Sequence, residues 1–332
     1  MKRATALAVA VLITIFAASS SFAAAKTFTV ANDAMEDSVT TLMSRKLAEL
    51  IGKKSNGAMK ADVFVNAQLG SDPELAQSCR TGDVTFVVGT TAPLVNFVPK
   101  LAIFDTPIMF KDIKVARSAM DKMIPEVAPF YEAAGYKLLG FGDQGFREMS
   151  TNKPVRKYAD FKGQKIRTMA NPNHMAFWRA IGANPAPLAM SEVYISLQQG
   201  AIDAQENPYE VIVSSKLYEQ QKYVINTNHI FHAIEIIMSK KAFDALSKDE
   251  QKIVLAAGKE AAEFGRQQAD KRNSQRLAAL KQNKCEVMDI SPEVRAEMLK
   301  AAQPVYQTIR KTVGDELFDK MQKAIKEAEA QK

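Results

Sequence analysis

Two arginines, three histidines and one glycine-rich run are the residues whose types and spacing could do chemistry in this chain. Arg147 closes the segment Gly140-Phe-Gly-Asp-Gln-Gly145-Phe-Arg147, and Arg167 closes Asp160-Phe-Lys-Gly-Gln-Lys-Ile-Arg167. A guanidinium offers a carboxylate two parallel, charge-assisted hydrogen bonds. Each arginine falls where a strand is expected to end, and open α/β layers bind ligands at the carboxyl ends of strands. A surface salt bridge is the competing reading for either. His229, His232 and Glu235 recur at i, i+3 and i+6. That spacing suits a helix, whereas a strand is expected there, so no zinc centre is expected. His174 follows Asn171-Pro-Asn173 at an expected helix start, where capping competes with any chemical role. Gly140-x-Gly-x-x-Gly145 matches a dinucleotide fingerprint, which requires a helix next. Phe146 to Pro154 instead reads as extended chain running into a turn, and a glycine-rich hinge is the alternative. Cys79 and Cys285 stand 206 positions apart, which excludes a disulfide scaffold or a cysteine-based zinc site and leaves their pairing open. No nucleophile elbow or Cys/His pair is present. No catalytic set emerges, so neither an enzyme nor a cofactor nor a metal is expected.

The elements that must position these residues alternate. Thr27–Val30 reads as a strand, Ser38–Lys54 as an amphipathic helix, and Asp62–Val65 as a second strand. The turn Gln68–Pro73, a short helix to Thr81 and a buried strand Val84–Val88 follow. This is an open α/β layer with crossover helices. Tyr136–Phe141 gives another strand, a second α/β run extends from Asp160 to Thr227, and Ile234–Ser239 is a further strand. Ser247-Lys-Asp-Glu250 is a capping box opening a helical stretch that reaches Gln282. Some 35 continuous residues would span roughly 52 Å. That exceeds one small domain, so this helix is expected to cross between two lobes, with a kink near Gly258 or Gly265. Without a flexible linker, the chain must pass between the lobes more than once.

Composition narrows the function classes. The chain has 332 residues, 47% apolar and 24% charged, which fits an ordinary two-domain globular protein. Met1-Lys-Arg3, an apolar run Ala4–Ala18 and an Ala-rich end at Ala25 read as a cleavable export signal over residues 1–25. Removing Lys2 and Arg3 lowers the formal charge from +7 to +5, scattered along the chain, which argues against nucleic acid as a partner.

An ordered series of motifs then carries a family resemblance. Gly145-Phe-Arg147, Asp160 to Arg167, Gly182-Ala-Asn-Pro-Ala-Pro187, Ser191-Glu-Val-Tyr194-Ile-Ser-Leu197 and Gly200-Ala-Ile-Asp-Ala-Gln-Glu-Asn-Pro208 resemble the DctP-type solute-binding proteins of TRAP transporters. Gln68-Leu-Gly70, Gly82-Asp-Val-Thr-Phe86 and Thr227-Asn-His229 are similar to the same family. The resemblance implies a periplasmic, two-lobed α/β binding-protein fold with an interlobe cleft, a hinge and a long helix across both lobes. It implies lobe I over 26–145, with 233–270 and 305–332 returning to it, and lobe II over 146–232 with 271–304. It also implies Arg167 as the main carboxylate clamp, Arg147 as a second carboxylate or hydroxyl contact, and Asn207 as an amide partner of the same carboxylate. In the same register Asn32, Asp72, Met190 and His229 would line the cleft, and Gln144 joins the ligand-binding set. The position where sialic-acid binders of the family carry glutamate falls on Thr90, which argues against an amino-sugar ligand.

The function implied is capture of a small organic acid and its delivery, by hinge closure, to large and small membrane permease subunits of a TRAP transporter. A C4-dicarboxylate-like acid is favoured, a uronate or aldonate is the alternative, and a monocarboxylic oxo- or hydroxy-acid comes third. A ligand-presenting periplasmic sensor is the alternative role. A monomer is expected, and Phe177 and Trp178 are expected to pack in the core.

Overall fold

A computed structural model describes residues 25–330, so the expected export signal lies outside the described residues apart from Ala25. In chain order the elements are β1 (Lys26–Ala31), α1 (Val39–Lys54), β2 (Met59–Phe64), α2 (Asp72–Thr81), β3 (Phe86–Thr90) and α3 (Thr91–Leu94). A 3-10 turn over Pro99–Asp105 leads to α4 (Ile113–Ala133) and β4 (Tyr136–Thr151). Then come β5 (Lys165–Thr168), α5 (Pro172–Ala180), β6 (Asn184–Pro187), α6 (Met190–Gln198), β7 (Ala204–Asn207) and α7 (Tyr209–Ser214). The chain ends with β8 (Tyr223–Ser239), α8 (Lys240–Asp244), α9 (Lys248–Gln282), β9 (Glu286–Asp289), α10 (Pro292–Val313) and α11 (Asp315–Ala330).

The strands form one mixed sheet in the order β2-β1-β3-β8-β4-β7-β5-β6, with β9 paired to β8. Its two halves are joined by a shared ribbon, because β4 and β8 pair antiparallel along almost their whole length. Residues 136–143 of β4 face 233–239 of β8 beside β3, while 146–151 face 223–231 beside β7 and β9. The register slips between Asp143 and Phe146, where the ribbon passes from one half to the other. Such an irregularity bends the bulged strand and increases its local twist. The result is a two-lobed α/β fold whose lobes are both discontinuous in sequence.

Both ribbon strands are longer than sequence suggested. Each is shielded on both faces, so the alternation that marks a half-buried strand is missing. The glycine-rich run Gly140–Gly145 therefore lies inside β4, no helix follows it, and the dinucleotide reading falls. His229 and His232 lie on β8 as expected. The buried strand near Val84 is displaced to Phe86–Thr90.

Helix α9 runs unbroken for 35 residues from its Ser247–Glu250 capping box, packing on α1 and β4 and then on α7 and β9. Gly258 and Gly265 do not interrupt it; they permit close approach. A Cβ at Gly258 would stand 2.4 Å from Leu139 Cβ, and one at Gly265 would stand 2.3 Å from Met43 Sδ. Phe177 and Trp178 are fully buried in the largest core cluster. Cys79 and Cys285 are buried free thiols in separate clusters.

Candidate functional site

The carboxyl ends of β1, β3, β5, β6 and β7 converge on one cleft of about 360 Å³, near the small end of the roughly 300–1,000 Å³ seen for ligand pockets. One lobe contributes Asp33 and Ser38 after β1, Ser71 and Asp72 at the start of α2, and Thr90 at the end of β3. The other contributes Arg167 and Met169 from β5, Leu188 to Met190 ahead of α6, and Asn207 from β7. Gln144 and His232 come from the shared ribbon and form the back wall. The first turns of α1, α2 and α6 all reach this lining, so the positive ends of three helices face the cleft.

Arg167 is the single Lys or Arg lining the cleft among the described residues. Its Nε and Nη2 donate to the Leu188 carbonyl at 2.9 and 2.6 Å, which fixes the plane of the guanidinium. No protein group among the described residues accepts from Nη1. Burial pushes its pKa down to about 10, while Glu206, Asp33 and Asp72 work against that push. It stays charged at neutral pH. The side chain is 3% exposed. A buried cation with free donors, held flat by a carbonyl, is a receptor for a planar anion.

Asp33 and Asp72 share the cleft lining with it. Burial raises both carboxyl pKa values, Asp72 the more strongly because the Asp33 charge adds to the effect, and Arg167 opposes the rise in both. Gly89 makes room for this pair, since a Cβ there would stand 3.1 Å from Asp72 Oδ1. Gln144 Nε2 donates to Thr40 Oγ1 at 3.0 Å, whereas its Oε1 is buried without a partner. Whichever way the amide is turned, one of its polar atoms stays buried and unpaired.

Beneath this lining lies a fully buried ion network. Arg147 donates through Nε to Glu206 Oε2 at 2.5 Å and through Nη2 to Asn207 Oδ1 at 3.1 Å, and Nη1 meets His232 Nδ1. His229 Nε2 lies 2.9 Å from Glu206 Oε2 and its ring stacks on Phe177. Burial alone would raise the Glu206 pKa, but the Arg147 charge and the His229 bond outweigh it and hold Glu206 far below the usual carboxylate range. Burial lowers the pKa of both histidines; Arg147 reinforces this at His232, and Glu206 opposes it at His229.

The structure thus brings together Arg167, Asn207, Asp72, Thr90, Met190 and Gln144, and places three expected residues elsewhere. Arg147 does not line the cleft. Because β4 continues past it, both neighbours of Arg147 are strands, and Glu206 and Asn207 of β7 take its donors. Asn32 is buried behind the wall, where it bonds Ala34 N, Ser44 Oγ and Thr41 Oγ1 and shapes the loop that presents Asp33. His229 faces Glu206 and Thr227 rather than the cavity. His174 is not the cap of α5; Asn171 is, and His174 turns to Asp105 at 3.2 Å. Asp33 was missed by sequence, although it directly follows Asn32 at the carboxyl end of β1. No cluster of three or more His, Cys, Asp or Glu among the described residues is arranged to hold a metal ion.

Comparison with known proteins gives a consistent result. The family model described as bacterial extracellular solute-binding protein, family 7 (DctP) matches residues 30–312. The C4-dicarboxylate-binding periplasmic protein DctP of Shewanella loihica is 30% identical over 279 residues, covering 83% of each chain. Among solved structures, the sugar acid binding protein DctPAm of Advenella mimigardefordensis, in complex with galactonate, superposes with a TM-score of 0.88 at 29% identity, covering 92% of this chain and 99% of that one. A TRAP periplasmic solute binding protein of Polaromonas sp. JS666, bound to D-erythronate, gives a TM-score of 0.85 at 30% identity over 90% of this chain and 98% of that one.

Proposed function

This chain belongs to the bacterial extracellular solute-binding proteins of family 7, and from that premise we propose that it captures a small hydroxylated monocarboxylic acid for a TRAP transporter. The observation that carries the reading is the charge balance of the cleft. One cation, Arg167, offers free donors, and the other ionisable side chains on the lining are Asp33, Asp72, Glu192 and His232. A single carboxylate finds a planar partner at Arg167 and an amide hydrogen of Asn207 beside it. A second carboxylate would find no second Lys or Arg on the lining and would share it with Asp33, Asp72 and Glu192, and a buried unpaired charge is costly. The C4-dicarboxylate favoured from sequence therefore fits this lining less well than an aldonate or uronate. Hydroxyls of such an acid have Thr90, Gln144 and the aspartate pair as partners.

Arg147 holds Asn207 in place without touching the ligand, and Glu206 balances its charge. Closure of the lobes of 26–145, 233–270 and 305–332 onto those of 146–232 and 271–304, about the ribbon of β4 and β8, brings Asp33 and Asp72 to the same ligand as Arg167. The closed form is then what the membrane permease subunits receive in the periplasm. A thermal-shift panel tests the reading. Galactonate, D-erythronate and glucuronate are expected to raise the melting temperature, since ligand at 100 times its Kd adds about 2.7 kcal/mol of stability. Shifts with succinate and none with these acids would overturn the monocarboxylate reading. No shift with any carboxylate would overturn the clamp.

A further inference from the structure

We propose that the cleft continues into a second subsite, an outer chamber walled by α6 and by the turns after β2 and α7, which takes a neutral sugar residue carried on the distal end of the clamped acid. The ligand class is then an aldonate or uronate bearing one glycosyl unit. The inference rests on the monocarboxylate reading above and deepens it.

The chamber is a cavity of about 420 Å³, against about 360 Å³ for the cleft itself. The two share Asp33, Met35, Met190 and Ser215 in their linings, so they form one continuous hollow with a neck. Met35 follows β1 in one lobe, and Met190 opens α6 in the other. Met35 is 43% exposed, and an unbranched thioether side chain can adapt to whatever passes it. An outer room at least as large as the inner one has space for a second unit of the size of the first. Length of ligand is therefore not limited by the inner cleft.

The walls of the chamber have the character of a binding surface. Tyr194 stands four residues after Met190 on α6, so the two lie on one helix face with about 5–6 Å between their Cβ atoms. The Tyr194 hydroxyl donates to Glu219 Oε2 at 2.6 Å and accepts from Gln220 Nε2 at 2.9 Å, which fixes the ring. A fixed phenol ring suits the C–H face of a sugar, while Asn66 and Ser191 supply hydrogen-bonding groups for its hydroxyls. The turn after β2 is tied to the loop after β1 by Asn66 N donating to the Ala34 carbonyl at 3.0 Å. Asn66, Ala67 and Lys216 hold φ angles of 54°, 55° and 53°. They are three of the seven non-glycine residues with positive φ among the described residues, and all three line this one chamber. Alanine and lysine adopt that conformation against their steric preference, and such outliers cluster at ligand clamps. Charge decides what kind of unit enters. The charged side chains of the lining are Asp33, Lys216 and Glu219. One ammonium among two carboxylates gives a second anionic group no advantage, whereas a neutral hydroxylated unit can use donors and acceptors alike.

Isothermal titration calorimetry of the purified protein tests this with gluconate, galactonate and D-erythronate as short acids, and with lactobionate and cellobionate as glycosylated gluconates. At least one glycosylated acid is expected to bind no more weakly than gluconate. Tyr194→Ala should then weaken that acid by about tenfold or more while leaving the short acids within about twofold. Tyr194→Phe keeps the ring and should restore most of the loss. Ser191→Trp fills the chamber and should exclude the glycosylated acids while sparing the short ones. Melting temperature confirms that each variant is folded. Binding of both glycosylated acids more weakly than gluconate, or not at all, overturns the chamber. Losses in the variants that are equal for long and short acids overturn it too, as does a folded Ser191→Trp protein that still binds the long ones. Short-acid binding in any of those cases leaves the monocarboxylate reading standing. Absence of binding by every hydroxy acid, short or glycosylated, overturns that reading and the proposal with it.

Discussion

Replacing Arg167 by lysine tests the clamp where it is most specific. The Leu188 carbonyl takes Nε and one Nη2 hydrogen at 2.9 and 2.6 Å, and the other edge of the guanidinium is left for a ligand. An ammonium cannot do both with the same geometry. Losing one charge-assisted bond removes about 1.5–3 kcal/mol, or roughly 10- to 100-fold in affinity at about 1.4 kcal/mol per decade. A second effect follows from burial, which already brings Arg167 down to about 10. The same push applied to lysine, whose ordinary value of about 10.4 is already lower, makes the ammonium lose its charge at a lower pH than the guanidinium. The charged form is the one that binds, so the lysine variant should lose affinity on going from pH 7 to pH 9. The arginine protein should keep its clamp charged up to about 10. Calorimetry with erythronate or galactonate at pH 7 and pH 9 reads both effects. Affinity within about twofold of the unmodified protein at pH 7 would refute the geometric argument. Parallel losses at pH 9 would refute the electrostatic one.

Three other outcomes are expected. Glu210 of α7 accepts from Val39 N at the start of α1 and from Arg276 Nε at 2.8 Å on α9, so it ties the two lobes together. Glu210→Gln should lower the melting temperature by an amount equivalent to about 1–3 kcal/mol and weaken ligand binding, read by calorimetry; unchanged affinity would show that the tie does not bear on closure. Gly258→Ala should destabilise more than Gly265→Ala in urea unfolding, because the first clash is with Leu139 Cβ, next to the backbone, and the second is with the Met43 thioether, which can swing aside. Equal costs would mean that α9 shifts as a body. Burial raises the Glu235 pKa to about 8, against the Tyr131 hydroxyl that donates to it. The folded state then holds a proton that the unfolded state has lost, and this contribution disappears as pH rises from the ordinary glutamate range through about 8. Glu235→Gln should therefore gain stability relative to the unmodified protein between pH 5 and pH 8.5 in denaturant titrations; a constant difference would contradict the burial argument.

Much of the fold was legible because its signals are local. Ser247 and Glu250 announce α9, and the helical composition carries it to Gln282, where the helix ends. Ser38 announces α1 in the same way, accepting from Thr41 N. What failed was anything set by a distant partner. Sequence ends a strand at Phe141, but β4 runs on to Thr151 because β8 and β7 lie on either side of it. That one misplaced end moves Arg147 from the rim of the cleft to the floor beneath it. Gly258 and Gly265 show the same limit, since a glycine for close approach and a glycine for a kink look alike until Leu139 and Met43 are seen against them. Asp33 carried no motif of its own, and only the fold brings it into one cleft with Asp72, 39 positions later.

The scattered formal charge of +7 says little about an anion-binding site whose lining holds more carboxylates than cations. Selectivity in this cleft must come from which charges have hydrogen-bonding partners. Arg147 has its donors filled by Glu206 and Asn207, and Glu206 balances its charge. Arg167 feels Asp33 and Asp72 through space, with no hydrogen bond to either among the described residues. An entering carboxylate therefore replaces an attraction without bonds by one with bonds, and the net gain comes from those bonds. Those bonds exist for one carboxylate and not for two, since Arg167 is the single Lys or Arg on the lining among the described residues.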